Sequence, residues 1–296
     1  MKIIDPHLHL FDLKKGDYSW LRPENPPFFE DKHAIARNFS EYDLTLTSPL
    51  TLVGFVHIEA GFDNQQPWRE IAWLESSCQM PFRSIAMLDI TLPKLPFLRQ
   101  LNKLMRYQSV VGIRYILDDD ALVILSNKNS QNNLAILAEK KLIFELQMPL
   151  ADSQAVDSLI KVLSVTPDLK LCINHAGWPT KNNQQQAIWL HNLQRLASFT
   201  DVFIKCSGFE IADRDYSANW ADKVIRQCIQ SFGIDRVMLA SNFPLCLWHA
   251  NYQETWLGNT LFISTELTKT APEFAYNTEQ LQQLCFSNAH RFYKFL

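Results

Sequence analysis

The sequence predicts an α/β protein built as one (β/α)8 barrel of parallel strands. Eight short runs of β-branched and apolar residues recur along the chain, and segments with helical hydrophobic spacing lie between them. After a long first gap the strands begin about 30 residues apart, which leaves room for a strand, a helix and two loops each time. The length of 296 residues also suits one such barrel.

The predicted strands are apolar along most of their length, as expected for parallel strands that are covered on both faces. They span residues 3–10, 50–58, 84–88, 110–117, 142–147, 169–174, 202–206 and 236–240. An open, doubly wound sheet would have a similar content of strands and helices. Such a sheet favours a glycine-rich turn after its first strand, and no Gly-x-Gly follows Leu10. The barrel is therefore the preferred prediction.

The predicted helices alternate with these strands. They span residues 67–77, 93–107, 131–140, 153–166, 184–199 and 220–232. The first connection, residues 11–49, is longer and contains several prolines and aromatic residues. A long excursion at the carboxyl end of a barrel strand commonly covers an active site, so we expect this segment to lie over the site.

Composition and charge narrow the class of function. Hydrophobic residues make up 47% and charged residues 20% of the chain, which is enough apolar material for one large core, and we expect a single domain over residues 1–296. The net charge of −3 is spread without long like-charge runs, so nothing favours binding to nucleic acid or to an anionic membrane. A small-molecule partner is expected, and a homo-oligomer is compatible with this composition.

The cysteine pattern and the amino terminus indicate a cytoplasmic protein. The six cysteines are widely spaced and form no Cys-x-x-Cys pair, which is typical of reduced core thiols. The amino terminus lacks the basic and apolar regions of a signal peptide, and no apolar run approaches the ~20 residues that span a bilayer.

His7 and His9 are the most informative residues for function. Side chains two positions apart on a strand face the same way, so both imidazoles point into the lumen if the strand belongs to a barrel. Paired imidazoles can bind a metal ion or polarise a carbonyl group. The alternative is that both rings are partly buried packing residues.

Further polar residues lie at the carboxyl ends of the predicted strands, where barrel enzymes place their active sites. The candidates are His57, Arg114, Glu145, His175, Lys205 and Asn242, with Trp20, Trp178 and Trp248 as aromatic residues near the mouth. His57 is expected to be a hydrogen-bonded wall residue of the substrate site. The tryptophans either stack on a substrate ring or anchor the packing of loops.

Two of these candidates have structural alternatives. Arg114 either binds substrate or forms a structural ion pair with Glu145. Lys205 is either a cation that polarises a carbonyl or the partner of a carboxylate inside the barrel.

Ordered motifs along the chain resemble those of the amidohydrolase superfamily, in the branch that includes sugar-acid lactonases and 2-pyrone-4,6-dicarboxylate lactonases. The resemblance runs from residue 3 to residue 293. It is carried by Ile4-Asp5-Pro6-His7-Leu8-His9, Val56-His57-Ile58-Glu59, Gly112-Ile113-Arg114, Asn174-His175-Ala176-Gly177-Trp178-Pro179, Lys205-Cys206-Ser207-Gly208, Ser241-Asn242-Phe243-Pro244 and Asn288-Ala289-His290-Arg291.

This resemblance implies a hydrolase that opens a small anionic, sugar-derived lactone by attack of water. His7, His9 and His175 would hold one divalent metal ion, with zinc as the expected metal. In metal-free members the same residues would polarise the carbonyl directly. Arg114, together with Lys205, would orient a carboxylate or hydroxyl of the substrate. The general base would be an aspartate at the end of the eighth strand.

Asn242 occupies the position of that aspartate. An amide does not accept a proton near neutral pH, whereas a carboxylate does. Glu145 is the candidate substitute base, with His175 behind it. If no residue replaces the base, activity is weakened or lost, and the alternative is a sugar-acid binding protein with impaired catalysis. An engineered replacement that traps a substrate is another explanation of Asn242. A lactone isomerase or a decarboxylase of the same superfamily is a further alternative.

Overall fold

The computed structural model describes residues 1–258 and 276–295, and its strands form the predicted (β/α)8 barrel. Each strand pairs in parallel with the next one along the chain. The strands are β1 (Lys2–Leu8), β2 (Thr51–Ile58), β3 (Phe82–Met87), β4 (Val110–Ile116), β5 (Ile143–Gln147), β6 (Lys170–Ile173), β7 (Val202–Cys206) and β8 (Val237–Leu239).

The sheet closes between β1 and the residues that follow β8. The backbone N–H of Asn242 donates to the His7 carbonyl oxygen at 2.9 Å, and the backbone N–H of His9 donates to the Phe243 carbonyl oxygen at 2.7 Å. A parallel bridge joins Leu8 and Phe243 in the same place. The backbone at residue 242 is therefore tied directly to the His7-Leu8-His9 segment.

The helices lie between the strands in the order that the sequence predicts. They are α1 (Trp68–Ser77), α2 (Lys94–Leu104), α3 (Ala121–Ser126), α4 (Lys128–Glu139), α5 (Ser153–Val165), α6 (Asn183–Ala197), α7 (Phe209–Ala212), α8 (Ala218–Phe232), α9 (Tyr252–Leu257), α10 (Thr278–Gln282) and α11 (Asn288–Phe292). Helix α4 begins earlier than predicted because the Asn127 side chain accepts the N–H of Asn129 and so caps the first turn.

The barrel interior is filled from its amino-terminal end. Apolar side chains of the strands, among them Ile4, Val56 and Ile143, pack with Phe292 and Tyr293 from the end of the chain. A second, larger core lies between the strands and the surrounding helices. Because one end of the barrel is closed by these aromatic residues, only its carboxyl end is available for a cavity.

The long first connection covers that carboxyl end, as expected. The backbone groups of Phe11 and Phe39 exchange two hydrogen bonds, of 3.0 and 2.9 Å, which fold the segment back on itself. The Trp20 indole N–H donates to the Ala60 carbonyl oxygen at 2.8 Å, and Asp31 forms a two-fold ion pair with Arg214. These contacts fasten the segment to the loops that follow β2 and β7.

All six cysteines are free thiols, and only Cys78 is partly exposed. In the described part of the chain we find no helix whose length and apolar character would let it span a membrane.

Candidate active site

A cavity of about 700 Å³ opens at the carboxyl ends of the strands. Its polar lining includes strand-end residues and residues of the following loops, and aromatic residues of the long first connection form part of its mouth. Among the lining residues are His9, Glu59, Arg114, Gln147, His175, Asn242, Trp20, Phe29 and Trp178. Of the predicted site residues, Glu145, His57, Lys205 and His7 lie outside this lining.

Three imidazoles cluster at the base of this cavity. The ring centroid of His7 lies 5.2 Å from that of His9 and 4.6 Å from that of His175. The His9 Nδ1 is 2.8 Å from the Ile58 carbonyl oxygen, which only accepts, so this nitrogen carries the proton and Nε2 is left as an acceptor. The His175 Nδ1 is 3.1 Å from the Ser207 hydroxyl.

His7 has the opposite tautomer. The Lys205 ammonium is 3.2 Å from the His7 Nδ1, and an ammonium group only donates, so Nδ1 accepts and the neutral ring carries its proton on Nε2. That buried N–H has no hydrogen-bond partner among the described residues. His7 therefore offers one free donor beside the two imidazoles that line the cavity.

The three imidazoles are neutral at physiological pH. Burial lowers the pKa of His7, His9 and His175 well below the usual range, and the positive charges of Lys205 and Arg114 lower it further. Neutral rings can donate one hydrogen bond and accept another, so the cluster can polarise a carbonyl oxygen without adding charge to the cavity.

Lys205 and Glu145 form an ion pair inside the barrel. The Lys205 Nζ is 2.6 Å from the Glu145 Oε2, and the Tyr293 hydroxyl donates to the Glu145 Oε1 at 2.6 Å. Lys205 also donates to the Pro6 carbonyl oxygen at 3.0 Å. Lys205 is thus the partner of a barrel carboxylate. A substitute base has to reach the cavity, and Glu145 does not line it.

Arg114 is paired with Glu59 and not with Glu145. Its Nε lies 2.7 Å from the Glu59 Oε1, and its Nη2 donates to the Glu59 carbonyl oxygen at 2.8 Å. Its Nη1 donates to the Gln147 side-chain oxygen at 3.0 Å. Burial raises the pKa of Glu59, and the Arg114 charge opposes that rise. The guanidinium charge that faces the cavity is therefore already balanced.

His57 is a buried wall residue beside the site. Its Nδ1 accepts the Leu10 N–H at 3.3 Å, so its Nε2 carries the proton and donates to the Glu70 Oε1 at 3.0 Å. Both ring nitrogens are used, and the ring does not line the cavity. Trp248 also lies outside the lining: its indole N–H donates to the Asp31 carbonyl oxygen at 3.0 Å, and it acts as a packing anchor.

The loop after β6 holds His175 in an unusual backbone conformation. His175, Ala176, Gly177 and Trp178 all have positive φ, with values of 51°, 50°, 68° and 56°. Non-glycine residues in this region are strained and persist only where their surroundings fix them, which is common at functional sites. Gly208 gives the ring its space, because a Cβ there would lie 2.4 Å from the His175 Nδ1.

The structure adds Glu210 to the site. Asn242 adopts a positive φ of 59°, and its Nδ2 donates to the Glu210 Oε1 at 2.6 Å. The buried Oδ1 of Asn242 has no partner among the described residues. Glu210 lies on α7, and burial raises its pKa to about 7, although the hydrogen bond from Asn242 opposes the rise. Its only sequence signal is its place five residues beyond Lys205, in the connection that follows β7.

The donor set does not fit a metal ion as it stands. Within residues 1–258 and 276–295, no three His, Cys, Asp or Glu side chains converge as metal ligands. His7 directs an N–H rather than a lone pair toward its neighbours, and position 242 offers a neutral amide where a carboxylate would be the stronger ligand.

Comparison with known proteins gives matches over the whole chain. A family described as Amidohydrolase matches residues 4–295. An uncharacterized protein of Sinorhizobium fredii, y4mH, is 27% identical over 268 residues, which are 86% of this chain and 89% of that protein.

Two proteins with solved structures illustrate the similarity of fold. An amidohydrolase from Burkholderia multivorans, described with bound zinc in one structure and bound HEPES in another, is 18% identical, covers 100% of both chains and superposes with a TM-score of 0.77. A Pseudomonas putida protein named as a candidate 2-pyrone-4,6-dicarboxylic acid hydrolase is 16% identical, with a TM-score of 0.67 over 99% of this chain and 97% of that one. At sequence identities of 16% and 18%, the similarity to these structures shows the fold alone.

Proposed function

Because this chain belongs to the amidohydrolase family, whose match extends over residues 4–295, we propose that it hydrolyses a small sugar-derived lactone by attack of water. The imidazole cluster carries this proposal. Neutral His9 and His175 line the base of one cavity with neutral His7 beside them, and a His175 ring whose Nδ1 accepts the Ser207 hydroxyl has its Nε2–H available as a preorganised donor for a carbonyl oxygen. Such donors stabilise the negative charge that develops on that oxygen when water adds to the carbonyl carbon.

Asn242 is suited to orient the attacking water. Asn242 lines the cavity, its Nδ2 is directed to Glu210, and its Oδ1 has no partner among the described residues, so the Oδ1 can accept one hydrogen of a water molecule. A water held in this way keeps a lone pair free for the carbonyl carbon. The amide does not itself take up the proton at neutral pH, so its contribution is orientation. The acceptor for the proton of the attacking water is the Nε2 of neutral His9, which lines the cavity, and this proton passes to the ring oxygen when the ring C–O bond breaks.

The charges of the lining favour a neutral, hydroxylated lactone ring. Arg114 is balanced by Glu59, and Asp118 adds a further acidic group hydrogen-bonded to Gln147. An anionic substrate would have to compete with Glu59 for Arg114, whereas hydroxyl groups can bond to these paired donors and acceptors without separating them. Trp20 and Trp178 line the same cavity and offer faces for a sugar ring. The lining therefore supports a neutral sugar lactone over the anionic one expected from the sequence.

A lactone panel tests the proposal. The purified protein is incubated with neutral aldonolactones and with lactones that carry a carboxylate, and the products are identified by NMR. We expect the open-chain acid from the neutral lactones. His175→Asn should lower kcat/KM by about 100-fold or more, whereas His191→Asn, at an exposed position on α6, should leave it unchanged.

The outcomes of this assay separate the alternatives. Isomerised lactone or released carbon dioxide would contradict hydrolysis. Thermal stabilisation by lactones without any turnover would instead support the binding protein, which the amide at position 242 favours. The assay is repeated after dialysis against a chelator, and we expect turnover to persist because the tautomer of His7 opposes metal coordination.

A further inference from the structure

Asn242 and Glu210 form a buried side-chain pair at the edge of the cavity. Asn242 is fully buried and Glu210 nearly so, and the Asn242 Nδ2 donates to the Glu210 Oε1 at 2.6 Å. The backbone of Asn242 is fixed on both sides, because its N–H donates to the His7 carbonyl oxygen at 2.9 Å and its carbonyl oxygen accepts the Cys246 N–H at 3.3 Å. These backbone bonds leave open only the orientation of the side-chain amide.

We propose that the protonation state of Glu210 decides which atom Asn242 presents to the cavity: the acceptor Oδ1 when Glu210 is ionised, and the donor Nδ2 when Glu210 is protonated. The catalytic consequence rests on the proposed hydrolysis. A carboxylate only accepts hydrogen bonds, so the amide must direct Nδ2 toward it. A protonated carboxyl can donate to the Oδ1, and this stabilises the amide turned by half a rotation.

The two orientations treat the attacking water differently. With Oδ1 toward the cavity, the amide accepts a hydrogen of the water and leaves a lone pair for the carbonyl carbon. With Nδ2 toward the cavity, the amide donates to that lone pair and holds the water in an unproductive orientation. Glu210 is thus a positioning residue that acts through Asn242, and its ionised form is the active one.

Among the titratable groups that face it, Glu210 is the one whose charge changes near neutral pH. Arg214 donates to the Glu210 carbonyl oxygen and is paired with Asp31. Burial raises the pKa values of the Tyr216 phenol and the Cys246 thiol, and the Glu210 charge raises them further, so both are neutral at physiological pH. The raised pKa of Glu210 itself lies within the range in which such a change affects activity.

This pairing alters what a restored aspartate would do. Asn242→Asp places a second carboxylate against Glu210, and two buried carboxylates at this distance share one proton. Asn242→Asp combined with Glu210→Gln has one carboxylate facing the cavity and an amide donor beside it. We expect the double variant to exceed the Asn242→Asp variant in kcat/KM at pH 7 by about tenfold or more.

The pH dependence of hydrolysis provides the first test. For the wild type, kcat/KM on a hydrolysed lactone should fall about tenfold per pH unit below a single midpoint. Glu210→Gln cannot ionise, and its amide can pair with either orientation of Asn242. Its rate should be lower than that of the wild type at pH 8 but should change less than about twofold between pH 6 and 8. An acidic limb that persists unchanged in Glu210→Gln would overturn the proposal.

A second test needs no substrate. The side-chain amide signals of Asn242, assigned by their loss in Asn242→Asp, are followed by ¹⁵N NMR from pH 5.5 to 8.5. We expect them to titrate in the wild type and in His249→Gln, which removes the imidazole stacked on Tyr216 at 4.0 Å. They should not titrate in Glu210→Gln.

This measurement separates the two proposals. Invariant Asn242 signals in the wild type, or an unchanged titration in Glu210→Gln, overturn the orientation mechanism even if lactones are hydrolysed. A titration seen in the wild type and in His249→Gln, but not in Glu210→Gln, supports the orientation mechanism even if every lactone of the panel is left intact. In that case only the proposed hydrolysis fails.

Discussion

Individual residues hold the candidate catalytic groups in place through steric and hydrogen-bond constraints. His175 depends on a neighbour with no side chain, since the ring occupies the space that a Cβ at Gly208 would need. Asn242 depends on the carboxylate of Glu210, and His7 depends on the ammonium of Lys205. In each case the partner comes from the chain at or after β7, so this strand and its loop organise much of the site.

Gly208→Ala and Gly233→Ala form a matched pair of variants. Both glycines have positive φ, of 70° and 75°, but a Cβ at Gly233 meets no atom within 4 Å. Each alanine should lower the free energy of unfolding by about 1 kcal/mol or more because of this backbone conformation. Only Gly208→Ala should also displace His175 and lower kcat/KM, as measured by lactone hydrolysis beside denaturant unfolding. Equal activities of the two variants would contradict the role assigned to Gly208.

Glu210→Gln should change the pH dependence of stability. Glu210 has a pKa of about 7 in the folded protein against 4.5 for the ordinary group, so its contribution to stability is present below pH 4.5 and is lost as the pH rises to about 7. The loss amounts to about 3 kcal/mol. The stability of Glu210→Gln relative to the wild type should therefore increase by this order between pH 4.5 and 7 in urea unfolding. Glu24→Gln, at an exposed position, should show no such increase.

At the scale of elements, a buried polar cluster joins β5, β7 and the end of the chain. Glu145 on β5 accepts from Lys205 on β7 and from Tyr293, which follows α11. Burying an ion pair is costly, and replacing it by apolar residues is often neutral or stabilising. The cluster is better explained by the contact between Lys205 and the His7 Nδ1, because this contact fixes the tautomer of His7.

Variants of this cluster separate stability from function. Lys205→Met leaves Glu145 buried without its cation and should cost about 3 to 5 kcal/mol of unfolding free energy. The triple variant Lys205→Met, Glu145→Leu and Tyr293→Phe removes all the polar groups and should recover most of that loss in thermal unfolding. Hydrolysis should stay low in both variants, because His7 has lost the donor to Nδ1. Full activity in the stable triple variant would contradict the positioning role of Lys205.

At the scale of the whole molecule, the barrel is closed at one end and covered at the other. Aromatic residues after β8 fill the amino-terminal opening, and the long first connection lies over the carboxyl end. In this arrangement the polar strand-end residues lie around the cavity at the covered end. It also separates the aromatic residues that close the amino-terminal end from the residues that line the cavity.

Phe292→Ala tests this separation. The side chain is buried in the interior cluster, so its truncation should lower the free energy of unfolding by about 3 to 5 kcal/mol. Leu95→Ala, at a position that is 66% exposed on α2, should change it by less than about 0.5 kcal/mol. In folded protein at low temperature, neither change should alter kcat/KM for the lactone. A specific loss of activity in stable Phe292→Ala protein would show that the closed end influences the site.

The sequence by itself determined the fold class, the order of strands and the position of His7, His9, Arg114, His175 and Asn242 at strand ends. These features follow from the local periodicity of apolar residues and from the rule that parallel strands present their carboxyl ends together.

Only the tertiary structure decided the partners: Arg114 with Glu59, Glu145 with Lys205, and Asn242 with Glu210. Such pairings depend on strand register and on loop paths that bring residues 32 to 60 positions apart into contact, and no local pattern encodes them. Protonation and tautomer depend in turn on these partners and on burial. The sequence thus predicted where the candidate site lies, and three-dimensional packing determined the partners and tautomers of its residues.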